Sequence, residues 1–136
     1  MLTKYAASKL INHLLGIDAF TMPTTVYLCL FTADPTTDGA FTNEVPSSRG
    51  YARQDATSVM STSAGGVASE SESDVSFGPD ITGDWGLITH VGLVDNATLG
   101  AGNLLTYKAL GATYQRTIRI GDTFKVPSGS LTEAMS

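Results

Sequence analysis

The sequence predicts a mainly β fold, a jelly-roll-like β-sandwich of seven to eight strands with one N-terminal amphipathic helix. Apolar residues recur at helical spacing only near the start of the chain. Short runs rich in β-branched and aromatic residues follow, separated by Gly, Pro, Asn and Asp. No helical segments alternate with these runs, which argues against a fold built from βαβ units.

The N-terminal helix is predicted over Thr3 to Leu15. Thr3 suits the N-cap, and Gly16 stands where a left-handed C-terminal cap belongs. Because a helix this short is marginal alone in water, its apolar stripe must pack on something, either the chain's own sheet or a different subunit. The stripe consists of Ala6, Ala7, Leu10, Ile11, Leu14 and Leu15.

The rest of the chain is predicted to form strands and turns. Residues 25–32 are apolar on both faces and indicate a central, covered strand. A turn rich in Pro, Asp and Gly then opens a long loop that ends near Gly50, a length typical of functional or mobile connections. We therefore divide the chain into an N-terminal helix, residues 1–16, and a single β-sandwich domain, residues 17–136. Further strands are predicted at 51–60, 74–77, 87–95, 104–110, 114–120, 122–126 and 130–132.

Composition favours a protein that binds other proteins. Hydrophobic residues make up 42% of the 136, enough for one core, while charged residues make up only 15%. A weakly charged surface loses less on desolvation, which suits partner binding; a plain soluble domain is the alternative. The net charge of −5 argues against a nucleic-acid partner, and no apolar run approaches the roughly 18 residues of a membrane span. Cys29 is the only cysteine, so no intrachain disulfide is expected.

Charge is unevenly distributed along the chain. Residues 66–100 carry six acidic residues and no Lys or Arg, whereas residues 101–136 carry four basic residues against two acidic ones. Oppositely charged regions can guide assembly with neighbours, and a mixed solvated surface is the alternative interpretation.

No catalytic, cofactor or metal site is predicted. The chain lacks a nucleophile elbow, a dinucleotide fingerprint, a phosphate-binding loop and zinc-ligand spacing. His90 lies within a predicted strand with Asp95 on the opposite face, so we expect a structural histidine rather than a general base. Asp34 and Asp38 begin like a calcium loop, but the twelfth position is Val45 instead of Glu, so we interpret both as turn residues.

Two clusters of acidic residues could be either solvent-exposed side chains or functional sites. Glu70, Glu72 and Asp74 alternate, which in a strand places three carboxylates on one face; a solvated acidic hairpin is favoured over a cation site. Asp80 and Asp84 are the residue types of a glycosidase pair, but spacing this local rarely sets two carboxyls across a cleft. The sequence therefore predicts no enzyme.

Six residues are candidates for protein contact. Arg49, Tyr51 and Arg53 alternate with small residues and are expected on one face of an extended segment, and Arg and aromatic side chains dominate interface energetics. A solvated strand edge is the alternative. Trp85, in a Gly-rich turn, is either a lid over the core or an exposed anchor. On the helix the candidates are Leu10 and Leu14.

Five blocks of the sequence resemble, in order, a class of short tailed-bacteriophage virion proteins. They lie at residues 4–16, 19–35, 50–54, 89–95 and 121–129, and include Gly-Tyr-Ala-Arg-Gln at 50–54 and Thr-His-Val-Gly-Leu-Val-Asp at 89–95. Members of this class are labelled tail-fibre or minor structural proteins, and some phages use small jelly-roll proteins of this size as capsid cement. The resemblance covers nearly the whole chain and implies a non-enzymatic virion structural protein.

The resemblance and the sequence together favour a capsid cement on the outside of the major capsid shell. The repeats and coiled-coil heptads typical of a fibre are absent from the sequence. A tail or baseplate component, including a host-adsorption module, is the alternative. We expect the major capsid protein and a second copy, as a homodimer, to be the partners, with no cofactor. The single cysteine fits synthesis in the host cytoplasm, which we expect, and the opening residues lack the pattern of a signal peptide.

Overall fold

A computed structural model shows a mainly β protein with one N-terminal helix, which confirms the predicted fold class. It describes residues 1–57, 59, 68–70, 73–79, 82–127 and 132–134. Within these ranges the strands number ten rather than seven or eight, and the jelly-roll arrangement stays a prediction. The elements are α1 Lys4–Leu14, β1 Tyr27–Phe31, a 3-10 turn at Ser47–Arg49, β2 Gln54–Asp55, β3 Ala68–Glu70, β4 Val75–Phe77, β5 Gly86–Ile88, β6 His90–Val94, β7 Leu104–Ala109, β8 Arg116–Ile118, β9 Phe124–Val126 and β10 Thr132–Ala134.

Four strands form an antiparallel sheet in the order β2-β1-β6-β7, and the others pair as β10-β3, β4-β9 and β5-β8. One face of β1 and β6 packs on residues of β4, β5, β8 and β9 and forms the larger core. The other face contributes Cys29 and Phe31 to a smaller core with Leu104 and Tyr107 of β7. Strand β1 is therefore covered on both faces, as its continuous apolar run predicts.

The strand predicted over residues 87–95 is two strands. Strand β5 pairs with β8, whereas β6 pairs with β1 and β7. Thr89 lies between them: its N–H donates to the Phe31 carbonyl at 2.9 Å, and its carbonyl accepts from the Leu110 N–H at 2.8 Å. The chain passes from one sheet to another at this residue, although the hydrophobic pattern continues through it.

Several predicted segments are shorter in the structure or lie partly outside the described residues. Within the strand predicted at 51–60, only Gln54–Asp55 is a strand, and positions 58 and 60 lie outside the described residues. The strand predicted at 114–120 is limited to Arg116–Ile118. Most of the segment predicted at 130–132 is not described, and β10 begins at Thr132.

Helix α1 is attached to the sheet at its N-terminal end. The Thr3 hydroxyl accepts a hydrogen bond from the Ala6 N–H at 3.3 Å, as its predicted N-cap role requires. The residues before the helix run along the open edge of β7, where the Tyr107 N–H donates to the Met1 carbonyl at 3.0 Å and the Thr3 N–H donates to the Leu105 carbonyl at 3.0 Å. These bonds satisfy backbone groups that an edge strand would otherwise leave open.

Candidate functional site

The C-terminal half of α1 and the residues just after it carry an exposed apolar surface, which we call the helix patch. It consists of Ile11, Leu14, Leu15 and Ile17, whose exposed fractions run from 54% to 77%. Within α1 only Ala6 is buried. The predicted apolar stripe is thus buried at Ala6, half-buried at Ala7 and Leu10, and exposed at Ile11, Leu14 and Leu15. Contiguous exposed apolar patches commonly mark interaction sites, whereas single exposed apolar side chains are normal.

The end of the helix is closed so that the helix patch keeps a defined shape. Gly16 adopts the predicted left-handed conformation, with φ of 71°. The Ile17 N–H then donates to the Asn12 carbonyl at 2.9 Å, which folds Ile17 back toward the last helical turn. The Phe20 N–H donates to Nδ1 of the exposed His13 at 3.1 Å. The side chains of the helix patch are therefore presented by a capped helix rather than by a loose end.

Of the two helix residues predicted to make protein contacts, one lies within the helix patch and one beside it. Leu14 is 77% exposed, whereas Leu10 is half-buried. Burying a Leu or Ile side chain completely is worth about 1.5–3 kcal/mol. The helix patch therefore holds unburied apolar surface that a partner could cover with a gain in free energy, and the contact role of both leucines stays a prediction.

Tyr51 and Arg53, predicted as surface contacts, instead lie inside the domain. Their exposed fractions are 3% and 6%. The Arg53 guanidinium donates to both carboxylate oxygens of Glu44, from Nε at 2.8 Å and from Nη2 at 2.7 Å. The Tyr51 hydroxyl donates to Glu44 Oε1 at 3.0 Å and accepts from the Leu30 N–H at 3.0 Å. Both side chains are occupied by partners within the chain, which corrects the prediction that they face a neighbour.

Arg53 also holds the turn that follows β6. Its Nη1 donates to the carbonyls of Asn96, Thr98 and Ala101 at 2.8, 2.7 and 2.9 Å. The Phe41 ring lies 4.6 Å from the guanidinium carbon, within cation–π range. Desolvation opposes the charge of Arg53, but the hydrogen bond and charge of Glu44 outweigh it, so the pKa of the guanidinium is raised. This cluster fixes two loops and has no side-chain surface left for a partner.

Trp85 is buried, as expected of a lid over the core and not of an exposed anchor. It is 4% exposed, and its indole N–H donates to the Arg49 carbonyl at 2.7 Å. Its ring stands edge-on to Tyr51 with the centroids 5.6 Å apart. Arg49 itself remains exposed, and its guanidinium donates to the Asp84 carbonyl. Of the alternating row at 49, 51 and 53, only Arg49 therefore has a side chain at the surface.

The structure places the residues considered for catalysis in separate structural contexts. His90 hydrogen-bonds through Nδ1 to the Thr89 hydroxyl at 2.8 Å. Asp95 accepts from the backbone N–H and the side-chain amide of Asn103, at 2.7 and 3.1 Å. Asp84 accepts from the Ile120 N–H at 3.1 Å. Each of these side chains supports a local turn or strand end, and Asp80 lies outside the described residues.

Asp34 and Asp38, which were considered for cation binding, also have local partners. Asp34 accepts from the Thr36 N–H at 2.7 Å, as a turn residue does. Asp38 forms an ion pair with Lys4 at 2.6 Å. Within the described part of the chain, no three His, Cys, Asp or Glu side chains are grouped to hold a metal. Glu72 of the predicted acidic hairpin is not among the described residues.

Sequence comparison shows the family. A family model described as Podophage GP4 fiber I protein gp80 matches residues 1–134. The chain belongs to this family. Membership in the gp80 family makes it a phage virion structural protein and confirms the predicted resemblance at that level. No curated protein matches the chain. Among the described residues, no helix of this gp80-family chain is long and apolar enough to cross a membrane.

The buried partner of Arg53 is the site residue that the sequence did not reveal. Glu44 lies between Asn43 and Val45 in a long loop and is only 9% exposed. Charged residues are almost never this buried unless they are paired. No periodic pattern in the sequence marks Glu44 as one of those exceptions.

Proposed function

We propose that this gp80-family chain is a capsid cement protein that binds the outside of the major capsid shell through the helix patch. The observation that carries the proposal is the exposed apolar surface of a capped helix whose preceding residues are hydrogen-bonded to the sheet. A folded domain joined in this way to an open apolar surface suits a part that adheres to a larger assembly. Membership in a virion structural family supports the same role.

The stabilising contributions of many bound copies of such a protein add together over the shell. A standard interface buries about 1,600 Å² in total. The helix patch supplies its apolar centre, and the weakly charged loops around it supply a rim that desolvates with little loss. Part of the gain is offset by the lost freedom of the bound domain. Copies that bridge neighbouring shell subunits add their contacts to every subunit junction, because separating two subunits then also breaks the cement.

A tail position is the second candidate, because the description of the family names a fiber protein. In that role the helix patch attaches the domain to a tail or baseplate protein, and the domain serves as part of a host-adsorption module. The two candidates share the docking element and differ in the partner.

Separation of particles into heads and tails distinguishes the candidates. Purified virions are split by mild denaturant, the two fractions are separated by density centrifugation, and the chain is quantified by mass spectrometry against the major capsid protein. The cement proposal expects recovery with heads in a stoichiometry comparable to that of the shell subunits. Recovery with tails alone would reject it in favour of the fiber candidate.

Point variants test the helix patch itself. Deleting the N-terminal segment is a poor test, because residues 1–3 also cover the edge of β7. Leu14→Gln keeps helix propensity and removes the apolar side chain, and Ser8→Gln at another exposed position of α1 is the matched control. We expect Leu14→Gln to weaken binding to shells that lack the protein about ten- to hundredfold, from the loss of about 1.5–3 kcal/mol of burial.

The control and the folding measurement decide how that result is interpreted. Ser8→Gln should bind like the wild type, and the melting temperature of Leu14→Gln should stay close to that of the wild type because Leu14 is already exposed. Unchanged shell binding by Leu14→Gln would contradict the docking role of the helix patch. A parallel loss of binding and melting temperature would show that the leucine serves the fold.

A further inference from the structure

A cleft of about 560 Å³ lies between the end of β7, the turn that follows it and β9. Its volume is within the roughly 300–1,000 Å³ typical of ligand pockets. The floor is apolar and is formed by side chains of β6, β9 and the turn after β7. These are Val91, Leu110, Phe124 and Val126.

The rim of the cleft is basic. Lys108, Arg116 and Lys125 line it, and none of the described residues in the lining is acidic. Lys125 already binds a carboxylate there, with Nζ 2.9 Å from Asp74. The side chains of Lys108 and Arg116 are exposed and have no carboxylate partner among the residues that the structure describes. Lys108 and Arg116, on one concave surface, therefore attract anionic groups even though the whole chain is acidic.

One aromatic side chain stands beside these cations. Tyr114 lines the cleft and is 65% exposed, in the turn between β7 and β8. Tyrosine and arginine are among the residue types enriched in the energetic centres of protein interfaces. The turn is ordered by backbone hydrogen bonds: the Tyr114 N–H donates to the Gly111 carbonyl at 2.8 Å.

We propose that this cleft binds an acidic segment of a partner protein, with an apolar side chain on the floor and carboxylates at Lys108 and Arg116. The inference goes beyond the proposed function, because it assigns a second binding surface separate from the helix patch. The combination of an apolar floor with a cationic rim matches a peptide that alternates acidic and apolar residues. Charge complementarity sets the choice of an acidic partner.

An acidic polysaccharide fits the cleft less well. Hydrogen-bonding side chains among the described lining residues are confined to the rim, where Lys108, Arg116, Lys125 and Tyr114 lie, and the floor offers none to sugar hydroxyls. Sugar hydroxyls placed against Val91, Phe124 and Val126 would lose their water without gaining partners, which is unfavourable. A peptide avoids this loss because it can place a hydrocarbon side chain there.

The test uses the purified full-length chain and a fluorescein-labelled random copolymer of glutamate and tyrosine, followed by fluorescence anisotropy. We expect binding that weakens as salt is raised and that is tighter than the binding of polyglutamate of equal length. Lys108→Glu should lower the affinity about tenfold or more, since it places a like charge at the rim. Its side chain is exposed, so a thermal melt should show that the variant folds.

Arg119→Glu is the matched control, because Arg119 is exposed, lies outside the cleft lining, and its replacement changes the net charge equally. It should leave the affinity within about twofold of the wild type, because only charges close to the bound segment contribute strongly in salt. Equal losses in both variants would overturn the proposal in favour of a response to overall charge. Absence of binding, or no preference over polyglutamate, would also overturn it.

Polygalacturonate, an acidic polysaccharide, serves as a competitor that tests whether the cleft binds a sugar instead. Displacement of the copolymer by polygalacturonate at equal carboxylate concentration would assign the cleft to an acidic sugar instead. Failure to displace it supports a peptide ligand. Since the assay uses the isolated protein, its outcome is independent of where the chain lies in the virion.

Discussion

Removal of the Arg53 guanidinium is expected to destabilise the domain strongly. Arg53→Ala leaves the Glu44 carboxylate buried without its bidentate partner and leaves three carbonyls of the turn after β6 without a donor. Breaking a buried ion pair by removing one partner costs about 3–5 kcal/mol. The total free energy of unfolding of a small domain is about 5–15 kcal/mol, so this single change removes a large share of it.

The size of the effect can be measured by urea denaturation. Trp85 is buried and is the only tryptophan, so its fluorescence reports loss of the core. At constant slope, the midpoint gives the change in the free energy of unfolding. In a thermal scan, a domain of this size loses about 3–5 °C per kcal/mol, so Arg53→Ala should melt roughly 10–20 °C below the wild type.

The paired variant Glu44→Leu/Arg53→Met separates the charge effect from packing. It leaves neither charge unpaired and should therefore be more stable than Arg53→Ala, although it still lacks the donors to the turn. A loss below about 1 kcal/mol in Arg53→Ala would refute the argument that this ion pair holds the loops. A double variant as unstable as Arg53→Ala would show that the unpaired carboxylate is not the cause.

Three further predictions follow from buried groups. Gly92→Ala should lower the free energy of unfolding by about 1–3 kcal/mol, because the added Cβ would lie 2.7 Å from Leu104 Cδ1 and 3.0 Å from the Thr106 carbonyl oxygen; an unchanged urea midpoint would contradict this. The Cys29 thiol is fully buried and its pKa is raised by burial, so a disulfide reagent should modify it only as the protein unfolds, whereas fast modification of the native protein would show an open path. Burial, followed by the charge of Glu44, raises the pKa of Tyr51 above its unfolded value of about 10. The neutral hydroxyl therefore contributes fully to the free energy of unfolding below about pH 10, and that contribution is lost as the pH rises above this value. A free energy of unfolding that stays constant from about pH 8 to 11 would argue against this.

The elements that the sequence predicts well are those fixed by neighbouring residues. Thr3 and Gly16 mark both ends of α1 because capping involves bonds within a few residues of the cap. The run at 25–32 predicts a central strand because both of its faces are apolar. The change of sheet at Thr89 was missed, because it depends on which distant strands pair with each side of that residue.

In the candidate site, too, features set by neighbouring residues are predictable from the sequence, and features set by distant contacts are not. The apolar stripe of α1 is evident from its spacing, but how much of it stays open depends on where the sheet stops covering the helix. Arg53 and Tyr51 have the residue types of contact sites, and alternation places them on one face. Whether that face points outward is decided by Glu44, which is distant enough in sequence that local patterns do not reveal the pairing.

The way residues 1–3 join α1 to the sheet determines how the domain responds to mechanical load. Besides the chain that continues from the helix to β1, a pull on the helix reaches the sheet through the short ladder that Met1 and Thr3 form with β7, reinforced by the bond from the Thr3 hydroxyl to the Leu104 carbonyl at 2.6 Å. Tension along the strand axis loads these bonds in shear, so they must rupture together. Tension across the axis breaks them one after another, so the force needed to detach the helix from the sheet depends on the direction of the pull.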